Sequence, residues 1–135
     1  MADECTLILE TEPAISFIAA TTAIEKGAVM TMTSPLTAVL TTTDTAIVAG
    51  IAQSEKIAGD LAVATYRGGF FTGVAGVAGV TVGEAIITDA STSSTNRLVK
   101  ADATSVNLLG MCLETAASGV RFAFELNPTT GGRAS

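Results

Sequence analysis

The sequence contains no histidine and no tryptophan, and aromatic residues make up only 4% of its 135 positions. Without histidine the commonest general base is missing, and with it the usual partner of a serine or cysteine nucleophile. The two cysteines, Cys5 and Cys112, lack the close spacing of a metal-ligand pair and have no histidine to complete a site. No calcium-loop pattern of alternating Asp residues ending in Gly occurs. Two carboxylates could still work as a hydrolytic pair, but Asp44, Glu55, Asp60, Glu84, Asp89, Asp102, Glu114 and Glu125 each stand singly beside turns or strand ends. No catalytic, metal or cofactor site is expected, and no small-molecule substrate.

Long hydrophobic runs are also missing. The uncharged stretch between Arg67 and Glu84 spans Gly68 to Gly83, shorter than the ~20 residues a membrane helix needs. Its glycines, Gly73, Gly76, Gly79 and Gly83, do not form a phosphate loop, because Glu84 follows where a lysine belongs. Asp3 and Glu4 occupy the place of a positive signal-peptide region. The chain is therefore expected to be soluble and not secreted by the usual route, with its cysteines reduced. Cys112, inside "LLGMCLE", reads as a small buried thiol; a Cys5–Cys112 disulfide stays open as the alternative. Basic residues are scarce, 7 against 13 acids, which gives a net charge of −6. Such a surface is repelled by nucleic acid, whose binding depends on Lys and Arg at the phosphates.

What the chain does have is apolar and β-forming. It is 48% hydrophobic and 15% charged, and twenty-one residues are threonine, a type that suits pleated, half-buried surfaces and disfavours long helices. With aromatics so few, the core is expected to be thin and built from Val, Ile, Leu, Ala and Met. In "VRFAFEL", Arg121, Ala123 and Glu125 alternate with Phe122, Phe124 and Leu126, the period-two pattern of a strand with one wet face. "GGFFTGV" and "VTVGEAIIT" are further strand-like segments, divided by small residues that suit turns.

Two stretches read as versions of one unit. "AVMT" at Ala28–Thr31 answers "AIIT" at Ala85–Thr88, following turns at Gly27 and Gly83; Gly50 and Gly59 answer Gly110 and Gly119. Each unit then passes a polar loop, "TSPLT" or "DASTSSTN", takes a second strand ("AVLTT" or "RLVKA"), and ends in Leu61–Tyr66 or Val120–Leu126. "QSEKIAG" and "CLETAAS" could each add a helical turn. The fold expected is mainly β, a small antiparallel barrel or sandwich with an extended N-terminal arm and at most short helical turns. The arm is placed at residues 1–22, the barrel-like domain at 23–126 with halves 27–66 and 83–126, and a flexible C-terminal tail at 127–135.

From Ile24 to Leu126 the pattern "GGFF", "VGEAIITD", "NRLVKA", "NLLGMCLETAASG" and "VRFAFEL" resembles the capsid decoration proteins of tailed bacteriophages, also called head-stabilising or cement proteins. The resemblance implies a β-rich virion protein without enzymatic activity, made in the host cytoplasm and bound to the outer surface of the capsid. It further implies the major capsid protein as partner and a homotrimer at three-fold positions, where it stabilises the expanded head. The arm before Ile24 is longer than the plainest members have, so Thr6, Leu7, Ile8 and Leu9, with Phe17 and Ile18, are expected to contact the capsid or a neighbouring copy. The alternative is a β-domain of a phage fibre or surface adhesin; a carrier module would need an exposed, modified lysine, and Lys26, Lys56 and Lys100 lack that setting.

Overall fold

The structure, a computed structural model, describes residues 3–19, 23–34, 37–40, 47–57, 62–89, 96–101 and 107–130. Gly59, Asp44, Asp60, Leu61, Asp102, the loop 90–95, residues 20–22 and the tail beyond Thr130 lie outside them. The described residues are all strand, turn and irregular chain, without a helix. The stretches 53–59 and 112–118, read as possible helical turns, form bends, a turn and isolated bridges over their described residues 53–57 and 112–118 instead. Lys56 N donates to Ile24 O at 2.7 Å, and Ala116 N to Val80 O at 3.0 Å.

The strands are β1 (Thr6–Leu9), β2 (Ile15–Ala19), β3 (Val29–Ser34), β4 (Thr37–Leu40), β5 (Val48–Ala52) and β6 (Ala62–Tyr66). They continue with β7 (Gly69–Val74), β8 (Ala85–Thr88), β9 (Leu98–Lys100), β10 (Asn107–Cys112) and β11 (Arg121–Thr130). Strands β2-β4-β3-β5-β6 close a barrel, and β1-β7-β11-β10-β8-β9 form a six-stranded sheet. All pairs but β2–β4 are antiparallel.

One pairing register occurs twice. Val29↔Ile51 and Met30↔Gly50 in β3–β5 have counterparts in Ala85↔Met111 and Ile86↔Gly110 of β8–β10. Phe17↔Val63 in β2–β6 corresponds to Gly73↔Phe122 in β7–β11, and Met32↔Ala38 in β3–β4 to Thr88↔Leu98 in β8–β9. Even the parallel contact recurs: Ala19↔Ala38 closes the barrel, and the bridge Ala75↔Leu98 brings β9 back onto β7. Each unit therefore starts one strand earlier than the sequence suggested, at β2 and at β7, because those strands close the ring. Gly50 and Gly110 hold equivalent places, where a Cβ would strike the carbonyl oxygens of Tyr66 and Glu125 respectively. Gly27 and Gly83 likewise share a turn with φ of +83° and +88°, a conformation that costs an L-residue free energy.

The N-terminal 22 residues, read as an arm, supply two strands. β1 lies on β7, and β2 is an integral stave of the barrel. The physical reason is Phe17, whose burial at 3% exposure requires β2 to occupy that place. At the other end β11 extends past Leu126 to Thr130, where Asn107↔Thr130 and Leu108↔Thr129 still pair. A register shift opposite Leu108–Gly110 accommodates Pro128, which has no N–H to give a ladder.

The two units share a core. Val29, Val48, Ile51 and Tyr66 of the first pack with Phe71, Phe122, Phe124 and Leu126 of the second, while Phe17, Ile24, Met30 and Val63 fill the barrel. β5 is buried along its whole length, as a strand enclosed on both faces must be. The scarcity of aromatics led to the expectation of an aliphatic core. Four of the six aromatic residues instead meet at this junction: Tyr66–Phe71, Phe71–Phe124 and Phe122–Phe124 have ring centroids 5.6, 6.0 and 5.9 Å apart. Few rings suffice because they are concentrated where two sheets meet.

Candidate interaction surface

β1 begins just after a tightly tied segment. Cys5 N donates to Gly27 O at 2.9 Å, and Asn96, buried at 6% exposure, bridges the same turn. Its Oδ1 accepts from Val29 N at 2.9 Å and its Nδ2 donates to Gly27 O at 2.9 Å, with longer approaches to Asp3 O and Cys5 Sγ. Arg97 Nε meets Asp3 Oδ2 at 3.2 Å, and Arg121 donates to Glu4 O at 2.9 Å. One amide thus joins residues 3–5, the turn of the first unit and the entry to β9, which fixes where β1 starts.

From there β1 runs antiparallel to β7, with Thr6↔Thr72, Leu7↔Phe71 and Leu9↔Phe70. Its four residues are all exposed, Ile8 and Leu9 to 56% and 57%. Ile18 on β2 is open to a similar extent, and Ile15 at 44%. Phe17 departs from the expected contact set: its ring lies inside the barrel, because side chains along a strand alternate between faces. Thr6, Leu7, Ile8, Leu9 and Ile18 are thus available at the surface, and Phe17 is not. Ile15, at the start of β2, is available too, although the sequence reading does not include it.

An open groove of about 880 Å³ borders β1, lined among others by Glu4, Leu7, Glu25, Lys26, Gln53 and Tyr66. Its charged side chains are Glu4, Glu25 and Glu55 against Lys26, and Gln53 Nε2 donates to Tyr66 Oη at 3.3 Å. Among the described residues no three His, Cys, Asp or Glu side chains stand together as metal ligands. Both cysteines are free and buried. Burial pushes the Cys5 thiol up to about 12, against which Arg121 and the Asn96 contact pull only weakly. Cys112 is raised by the same cause and gives its S–H to Glu114 O at 2.8 Å. A thiol kept protonated is a poor nucleophile. The chemistry on offer here is contact by main chain and apolar side chains.

The sequence model of phage cement proteins matches residues 9–126. The chain belongs to the phage cement protein family. That family is structural and not an enzyme class, which makes this cement protein a structural component of the phage virion at the capsid surface. The crystal structure of the N base of head fiber gp8.5 in bacteriophage phi29 has a similar fold. The TM-score is 0.55 at 16% identity, covering 87% of this chain and 95% of that one. No curated protein matches it in sequence. The likeness to the head fiber base, at such low identity, concerns the fold alone.

Proposed function

We propose that this cement protein attaches to the outer surface of the major capsid shell and stabilises the expanded head, acting as a homotrimer. The observation that carries the reading is the family match across 9–126. The surface supports it: Thr6, Leu7, Ile8 and Leu9 of β1, with Ile18 of β2, offer apolar side chains and strand edge to a partner. In this reading β1 and the exposed Ile18 of β2 carry the contact from within the sheets. The net charge of −6 keeps the subunit from being captured by DNA during assembly. Many modest contacts repeated at symmetric sites hold well, because linked binding events raise the effective concentration of each other.

The head fiber likeness favours one second reading, in which the protein is the base of a projecting fibre. Co-sedimentation with phage heads prepared without the protein tests the first. Saturation at a fixed whole-number ratio to the shell protein, with heads more resistant to heat, is the expected result. Absence of binding at any ratio refutes capsid attachment. Binding that leaves head stability unchanged, with loss of a projecting fibre when the protein is deleted, favours the fibre base.

A further inference from the structure

Because one register recurs in both units, each unit serves as a reference for the other. β7 is covered along both sides. β11 pairs with it from Gly69 to Val74; on the other side β1 covers Phe70, Phe71 and Thr72 before β9 reaches Ala75. In the first unit β2 takes the place of β7, with Ile15, Ser16 and Phe17 standing for Phe71, Thr72 and Gly73. β6 covers one side of β2 from Ile15 to Ile18, but on the other β4 reaches only Ile18 and Ala19. Among the described residues no strand lies beside the part of β2 that corresponds to the β1-covered part of β7. Ile15 is accordingly 44% exposed, where its counterpart Phe71 is 1% exposed.

We infer that this open edge, at Ile15 and Ser16, accepts an extended strand of the capsid shell protein, seated on β2 as β1 is seated on β7. The inference rests on the capsid-attachment reading and names a specific place and mode of contact. An uncovered strand edge is a template for another chain, and β1 shows what the equivalent edge takes: a short, extended, apolar segment, "TLIL". The capsid-attachment reading makes the shell protein the donor, and β1 does not serve, because it already pairs with β7 through Thr6↔Thr72 and Leu7↔Phe71. Glu10 and Glu12, both exposed, stand in the connection leading to this edge. A shell segment with Lys or Arg beside its apolar residues is thus favoured, and an acidic one repelled. Main-chain hydrogen bonds supply the affinity and contacts to Ile15 and Ile18 the selectivity.

The test combines a charge at the edge with a photo-cross-linking residue at Ser16. Ile15→Lys is compared with Val120→Lys, an equally exposed apolar site on the other unit, and wild type, each checked for folding by thermal melting. The expected result is that Ile15→Lys weakens head binding by about tenfold or more while Val120→Lys binds as wild type does. The Ser16 cross-link should join one short segment of the shell protein. Undiminished binding by a folded Ile15→Lys overturns the inference while leaving attachment intact. So does a Ser16 cross-link found only between copies of this chain, or no cross-link on heads that the protein saturates; the cross-link decides the matter if Ile15→Lys fails to fold. Failure of wild type itself to bind heads refutes attachment, and the inference with it.

Discussion

Replacing Asn96 with alanine should destabilise this protein out of proportion to the side chain's size. The amide accepts from Val29 N and donates to Gly27 O, both at 2.9 Å. Val29 is only 1% exposed, so its orphaned N–H would incur the desolvation cost of a buried unpaired donor, about 1–3 kcal/mol. Gly27 O keeps its bond from Cys5 N, and losing the amide there costs about 1 kcal/mol. The sum is about 2–4 kcal/mol, read as a drop in the midpoint of urea unfolding with unchanged slope. Asn96→Asp sharpens the test. An ionised carboxylate still accepts from Val29 N but cannot donate, and it faces Gly27 O in a buried site. Its folded pKa should therefore be raised above the unfolded value of about 3.9. Stability of this variant should be fullest below pH ~4 and fall as pH rises through the raised folded pKa. An alanine variant within about 0.5 kcal/mol of wild type, or an aspartate variant indifferent to pH, would refute the claim that one amide ties the units and the N-terminal segment together.

Further outcomes follow from the repeat and from burial. The barrel holds Phe17 opposite Val63, and the six-stranded sheet reverses the sizes with Gly73 opposite Phe122. Phe17→Gly should cost about 3–5 kcal/mol, and adding Val63→Phe should recover part of it in a double-mutant cycle, whereas strict additivity would show that the exchange is not compensation. Gly110→Ala, which drives a Cβ into Glu125 O, should lower the melting temperature more than Gly83→Ala, where no atom lies within 4 Å and only the backbone angle is strained. Equal effects would discount the close approach. Native protein should react with a thiol reagent far more slowly than unfolded protein, which exposes both cysteines. For Cys5, raised from 9.0 to about 12, the stabilisation held by the neutral thiol is complete below pH 9 and is lost as pH climbs toward 12. Rapid native labelling at pH 8 would contradict the burial.

Strand character was legible where the chemistry is local. Alternation in "VRFAFEL" places Phe122, Phe124 and Leu126 inside, as found, and the turn glycines Gly27 and Gly83 announce equivalent turns. The candidate surface was less legible. Thr6–Leu9 is apolar enough to read as buried or as docking, and only its place at the sheet edge leaves it exposed. Phe17 and Ile18 were grouped as one contact, yet neighbouring residues of a strand face opposite ways. Which of them faces the barrel depends on pairing with Val63 and Ala62, a partnership far along the chain.

The sequence by itself determined the β class, the acidic charge, the lack of histidine chemistry and the turn positions, because composition and short-range stereochemistry suffice for these. Only the tertiary structure decided that residues 6–9 and 15–19 are staves of the body. It also decided that the rare aromatic rings gather between the units, and that, among the described residues, one edge of β2 lacks the strand that covers its counterpart on β7. These are outcomes of long-range strand pairing, in which backbone groups common to all residues choose partners by the register that buries the most apolar surface.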